Sequence, residues 1–407
     1  MTTHEQSKKK AILHQVVDDI ACWELFHRKS GNIYLVGSYS LDKYLVVPES
    51  KIAYTLDFMQ RLNGTSELIN IQNELEAKWK RSLNIPLLFS KMKSSGLIKT
   101  AQNSNLSNEP VSEMIKHSIN LLRLNMQNLA WIFSRLTWLF HPACLIIGIT
   151  AITATFINVG THDIIRIKQN NHAALSIYLY IELWVIFISL AIVHEIFHTI
   201  AAYRYGLRAK NISLSLYLGF IPLIYVYIPG IYTLPPKKRI IIWSAGIYSN
   251  LISIMILFLL SKCIVLPVDT ASIFDKLVWV NISIIVLNLS PFMATDGYYI
   301  LSTILKVPNI RTNAYLEFKK WIKRERNNFS TTMAVYTSIS IAVITWMLVR
   351  LCVYIYDDAF LIFKNGLSER TIVSLWPLAF VAICILANKG WSKVISSRVE
   401  HEIDEAI

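Results

Sequence analysis

Charge is scarce in this chain. Of 407 residues, 16% are Asp, Glu, Lys or Arg, 54% are hydrophobic, and the mean hydropathy is +0.42. Soluble domains carry about 25% charged residues. One large water-exposed globule is therefore excluded, and a polytopic membrane protein with soluble parts is expected. Cysteine is also scarce. Cys22, Cys144, Cys263, Cys352 and Cys384 are odd in number and form no C-x-x-C pair. That pattern predicts neither a disulfide framework nor a cysteine zinc site. A cleavable secretory leader is not expected either, because MTTHEQSKKK is polar and basic and no apolar core follows it.

Positive charge is what the polar residues do supply, with a formal net charge of +13. It is spread over many segments. That fits cytoplasmic loops of a membrane protein better than a nucleic-acid surface, and no nucleic-acid partner is expected.

Six apolar runs read as spans, near 139–158, 174–203, 240–260, 277–292, 332–355 and 371–387. Between the second and third lies NISLSLYLGFIPLIYVYIPGIYTL, residues 211–234. Its alternation and its β-formers predict a membrane-dipping strand or loop, which needs protein or a watery cavity around it. Residues 111–138 read as an amphipathic helix lying along the membrane, with Trp131 and Trp138 at the interface. Residues 101–110, AQNSNLSNEP, are a polar linker.

The second run ends in AIVHEIFHTIAAYRYG. His194 and His198 are four apart, so on a helix both imidazoles lie on one face and can reach one metal, with Glu195 beside the first. Their neighbours Ile192, Val193, Ile196, Phe197 and Ile200 leave no wet face for a solvated charge. An ionisable group that deep in an apolar helix is costly and marks a functional site by default. Glu182, in the outer half of the same run, is expected to be structural or to face a cavity. Arg350 is expected to snorkel, and His141, His162 and His172 are expected to have no metal role.

A zinc site needs a third protein ligand and leaves a fourth position for water. The fourth run ends NLSPFMATDGYYIL, in which Asn288, Pro291, Asp296 and Gly297 are spaced N-x-x-P-x-x-x-x-D-G. Pro291 is expected to break the helix and let Asp296 turn back toward the histidines.

This pair of motifs is similar to the site-2-protease family of intramembrane zinc metalloproteases, over roughly residues 139–305. The resemblance implies Zn2+ held by His194, His198 and Asp296, with Glu195 as general base. A third family element, G-P-x-x-N, is matched by Gly246 and Asn250, but Ile247 stands where proline is usual. Asn250 is then implied as a contact for extended substrate backbone, and Asn288 as a donor near the water or oxyanion. The β-rich stretch 211–234 matches a family element that could pair with a substrate strand. The last two runs carry no identifiable chemistry.

Residues 1–110 read as a small cytoplasmic domain. KYLVVPES is a strand and turn, SKIAYTLDFMQRLNG a helix stopped at Asn63-Gly64, and TSELINIQNELEAKWK an amphipathic helix capped by Thr65 or Ser66. A third helix ends at Gly96, followed by a short apolar strand. That order predicts a winged-helix-like α+β module. It resembles the PqqD-like domains that hold leader peptides in peptide-modification pathways. A plain winged helix used for packing or DNA contact remains the alternative.

The expected protein is thus mainly α, with six spans in all: a domain over 1–110, an interfacial helix over 111–138, a membrane metalloprotease core over 139–305, and a cytoplasmic loop with two further spans over 306–407. The expected activity is hydrolysis of peptide bonds in a membrane-associated or modified peptide, in peptide or bacteriocin maturation. Its partners would be the lipid bilayer, the peptide substrate and a co-encoded peptide transporter or modifying enzyme. The alternative is a zinc-dependent peptide export or immunity protein that binds without cleaving.

Basic residues divide 33 to 6 between the two sides of this topology, with Arg350 inside a span. The positive-inside rule then places both termini and the H-E-x-x-H end of the second span in the cytoplasm of a bacterial cell membrane. Single cysteines introduced at 162 and 315 test this. Position 162 should label from outside the cell and 315 only from inside; the reverse pattern would overturn the orientation.

Overall fold

The computed structural model describes residues 15–29, 31–64, 66–99, 118–158, 177–217, 221–263, 268–292, 295–323 and 330–365. The protein is mainly helical, with small antiparallel sheets. It divides into two compact units, one of Met1–Val111 with Pro229–Arg239 and one of Ser112–Ile228 with Ile240–Ile407. The first boundary falls where the linker is read. The return of residues 229–239 to the first unit has no counterpart in the sequence reading. Residues 139–305 and 306–407 do not separate from each other.

In the first unit, strands β2 (Ile20–Phe26), β3 (Ile33–Ser38) and β4 (Lys43–Pro48) form an antiparallel meander, and the two-residue strands β1 (Gln15–Val16) and β5 (Ile98–Lys99) pair separately. Helices α1 (Glu49–Arg61), α2 (Leu68–Trp79) and α3 (Ile85–Ser94) follow. The expected strand over 43–50 and the three helices are present, whereas β2 and β3 are additional. In β4 the alternation sends Leu45 and Val47 inward, onto Phe58, Ile71, Leu75, Ile85 and Met92 of the helices.

Helix α3 is capped by Asn84, whose side chain accepts from Leu87 N–H. The expected caps of α2 are corrected. Its N-cap is Glu67, which makes no side-chain cap bond; Ser66 lies before it and Thr65 lies outside the described residues.

The 229–239 segment joins this unit through two polar contacts. Gly230 N–H donates to Asp42 Oδ1 at 2.8 Å. Arg239 donates from Nη2 to Leu25 O at 2.6 Å, with its guanidinium over the Phe26 ring. The β2–β3 register slips between Glu24 and Phe26, so Leu25 sits at a bulge and its carbonyl lies outside the ladder. Arg239 satisfies that carbonyl.

In the second unit, β6 (Ser118–Asn125), β7 (Asn211–Tyr217) and β8 (Ile221–Tyr227) form an antiparallel sheet in that order. The β character expected over 211–234 is present. The amphipathic helix expected over 111–138 is corrected: residues 118–125 are strand, and only after a 3-10 turn does α4 (Ala130–Leu136) begin. Within SINLLRLN, a ladder to the alternating NISLSLY of β7 satisfies the backbone groups that a short isolated helix would leave open at its ends.

Helices α5 (Pro142–Asn158), α6 (Ile177–Arg204), α7 (Pro236–Cys263, from Ile240 onward), α8 (Val268–Leu289), α9 (Asp296–Ile304), α10 (Ile310–Ile322) and α11 (Thr331–Asn365) complete the unit. Among the described residues, two helical stretches are long and apolar enough to cross a membrane, Ile181–Arg204 and Pro236–Cys263. A third counts if Gln127–Phe140 and Pro142–Ile157, bent by 67°, make one span. The run expected at 371–387 lies outside the described residues. Helix α8 starts nine residues before the expected 277 and carries Lys276, whose Nζ lies 2.6 Å from Glu182 Oε2. That pairing gives Glu182 the structural role expected of it. Helix packing is close where side chains are small: a Cβ on Gly148 of α5 would lie 1.9 Å from the Tyr248 hydroxyl of α7.

Asp57 ties α1 to α2 in the first unit, accepting from Lys78 Nζ at 2.8 Å, Arg61 Nε at 3.1 Å and Trp79 Nε1 at 3.2 Å. Lys78, the largest influence, and then Arg61 and Trp79 hold its carboxyl below the ordinary carboxylate range against the opposing effect of burial. A lowered folded pKa means this stabilisation is complete above the ordinary range and is lost as pH falls through the folded value. Asp57→Asn should cost about 1 kcal/mol near pH 7, since its partners are partly exposed. The difference from the native protein should vanish in acid. An equal cost at both pH values in denaturant titrations would refute the assignment.

Candidate metal centre

Helix α6 places His194 and His198 one turn apart, and their rings lie 4.8 Å apart at 76°. Both are buried, at 2% and 5% exposure. His194, Glu195 and His198 each offer a ligand atom, all within 4.8 Å of one another, and the group could hold a metal ion. The fourth residue arrives from α9. Helix α8 stops at Leu289, before Pro291, and the next helix opens on Asp296. Asp296 Oδ2 then lies 3.1 Å from His194 Nε2 and 3.3 Å from His198 Nε2. The structure thus brings together His194, Glu195, His198 and Asp296.

Neighbouring groups decide which nitrogen of each histidine faces this point. His198 Nδ1 lies 2.7 Å from Ile242 O. A carbonyl only accepts, so Nδ1 carries a proton, and in the neutral imidazole Nε2 then presents its lone pair. For His194 the same result comes through a relay. Asn281 donates from Nδ2 to Leu277 O at 2.8 Å, which fixes its amide and leaves Oδ1 as acceptor. Asn250 Nδ2 donates to that oxygen at 2.8 Å, and Asn250 Oδ1 accepts from His194 Nδ1 at 2.7 Å. Asn250 and Asn281 are 1% and 0% exposed. Two imidazole lone pairs and one carboxylate oxygen therefore point at one buried spot. Three acceptors so close repel unless a cation lies among them. The residues present fit a metal ion.

Two glycines make room for this arrangement. A Cβ on Gly246 would lie 2.2 Å from His194 Nε2, so only a residue without a side chain lets the ring stand where it does. A Cβ on Gly297 would lie 2.3 Å from Leu289 O, so the Asp-Gly turn can fold against the end of α8 only with glycine there.

The two asparagines of the sequence reading have these surroundings: the Asn250 carboxamide is engaged by His194 and Asn281, so it orients the His194 ring, and Asn288 Nδ2 donates to Ile284 O of its own helix at 3.1 Å. Glu195 has a partner that sequence reasoning missed: its Oε2 accepts from Val226 N–H of β8 at 2.9 Å. Asn281 was missed as well, although an asparagine within VWVNISIIV is the kind of polar interruption that signals a role. Comparison with protein-family models, with curated proteins and with solved structures finds no match.

Metal content of the purified protein tests the geometry. About one ion per chain is expected for such a site. His194→Ala, His198→Ala and Asp296→Ala should each lower it, and Gly246→Ala should do so by displacing the His194 ring. Asn281→Leu should weaken metal affinity about 10–100-fold, the usual effect of removing an outer hydrogen-bond partner. Native metal content and affinity in all five variants would refute the arrangement.

Proposed function

We propose that the protein is an intramembrane zinc metalloprotease, with His194, His198 and Asp296 as ligands and Glu195 as general base. The observation that carries this reading is the convergence of both Nε2 atoms and Asp296 Oδ2, with the Nδ1 protons directed away. A tetrahedral zinc with ligand bonds of about 2.0–2.1 Å separates its ligand atoms by about 3.3 Å. The separations here are 3.1 and 3.3 Å. A zinc ion so held supplies an ionisable water and a Lewis acid for the scissile carbonyl.

Glu195 is about 100° around the helix from His194. That places its carboxylate beside the ligand stripe, where it can take a proton from the attacking water and pass it to the leaving amine. Strand β8 is the outer strand of its sheet, and its Val226 N–H already meets Glu195. An extended peptide added along such an edge would present its backbone to the base. The substrate class we infer is therefore a peptide or membrane segment that binds in extended form, a modified or bacteriocin-type precursor being one such substrate. A transporter or modifying enzyme is the corresponding partner, and the 1–110 unit, in its resemblance to leader-binding domains, is the part suited to hold a leader. The topology that goes with this reading is six spans in a bacterial membrane, both termini cytoplasmic.

One observation favours the second reading, a zinc-dependent export or immunity protein that binds peptide without cleaving it. The Glu195 carboxylate is already engaged by Val226, as a purely structural residue would be. Glu195→Gln separates the two. If Glu195 is the base, the variant should keep zinc and bound peptide but lose cleavage by about 10²–10⁴-fold or more, as measured by mass spectrometry of a reconstituted co-encoded precursor. Undiminished cleavage would place the base elsewhere. Zinc-loaded native protein that binds the precursor and never cuts it would support the second reading.

A further inference from the structure

Helix α10, IRTNAYLEFKKWI, has two faces that differ in kind. Its Ile310 and Ala314 are buried against Tyr298, Met333 and Tyr336. The rest of its surface is apolar and basic at once. Tyr315, Leu316 and Ile322 stand 48–61% exposed, and Lys319, Lys320 and Lys323 are exposed among them. The helix's one acid, Glu317, is half-buried and accepts from Ser330 N–H. Among the described residues of this helix, the exposed face therefore carries positive charge with no acid interleaved.

Three features define what covers this face. Large apolar side chains exposed side by side need a partner. Tyr and aliphatic side chains beside Lys make the composition that settles at a membrane–water boundary. The chain position agrees: α10 follows α9 directly and precedes α11, whose Thr331–Val343 stretch is apolar. Three exposed lysines complement phosphate charge in the lipid headgroups.

We propose that α10 docks on the headgroup layer of an anionic phospholipid leaflet, with Tyr315, Leu316 and Ile322 inserted and Lys319, Lys320 and Lys323 on the phosphates. The proposal is independent of peptide hydrolysis. Because Ile310 and Ala314 seat the helix on Tyr298, two residues from Asp296, lipid at α10 also bears on the element that carries Asp296.

The test uses the full chain in nanodiscs, with its native cysteines replaced by serine and an environment-sensitive fluorophore on Leu316→Cys. In discs of phosphatidylcholine with about one-third phosphatidylglycerol, emission should shift to the blue and be quenched by nitroxide-bearing lipids. In phosphatidylcholine alone both effects should fall sharply. Lys319→Glu with Lys320→Glu should abolish the difference, while Lys319→Arg with Lys320→Arg should keep it. A juxtamembrane basic residue contributes about fivefold to anionic-surface affinity, so losing two is readily detected. Equal burial in both lipids would overturn the anionic preference. A blue shift without quenching by lipid, lost when each disc holds a single chain, would show that a second copy covers the face and overturn the proposal.

Discussion

The second unit is organised around three electron-pair donors that share one buried spot. Left alone, His194 Nε2, His198 Nε2 and Asp296 Oδ2 would repel one another in a region that offers little water to screen them. Much of the local structure keeps them there all the same. Ile242 and the Asn250–Asn281 relay take the two Nδ1 protons, Gly246 yields space to the His194 ring, and Pro291 with Gly297 turns Asp296 inward. A proton could quiet one pair of these atoms. A divalent cation satisfies all three together, and the local sequence makes sense as preparation for one.

The same logic explains where polar residues occur in the apolar helices. A hydrogen-bonding group inside such a helix is costly unless it finds a partner. Asn281 finds Leu277 O and Asn250, Asn250 finds His194, and Glu182 finds Lys276. The first two partnerships orient a metal ligand, whereas the third joins α6 to α8 away from it. Ring contacts of Phe140 with Phe197 and Tyr248 then pack the histidine-bearing helix and its neighbour.

How much of this could be read from the chain depended on whether a signal is local. His194, Glu195 and His198 lie within five residues, and the helical period alone puts them together. Asp296 was legible because a proline before an Asp-Gly pair has only a few geometric outcomes. Asn250 is found by spacing, but its contact with His194 is not, since spacing says which residue is near and not which atom it meets. Residues 118–125 were misread because a short run with both leucines and polar residues satisfies helix and strand patterns alike, and only the distant β7 decides. Strands β2 and β3, and the return of 229–239 to the first unit, rest on long-range contacts such as Arg239 with Leu25 and have no local signature.

The contact of Glu195 with Val226 links the metal centre to the sheet, and it constrains both units of chemistry at once. Val226 pairs with Ile212 across β7–β8 but gives its N–H to the carboxylate. The bond ties the outer strand to a carboxylate whose ligand atom lies within 4.8 Å of those of His194 and His198. A base must nevertheless move its proton, so it cannot remain locked to a donor throughout a reaction. An extended peptide lying along β8 would compete for that backbone N–H with its own carbonyl, and the carboxylate would be freed as the peptide arrived. Under the proteolytic reading, the bond between Val226 N–H and Glu195 couples strand addition to the availability of the base.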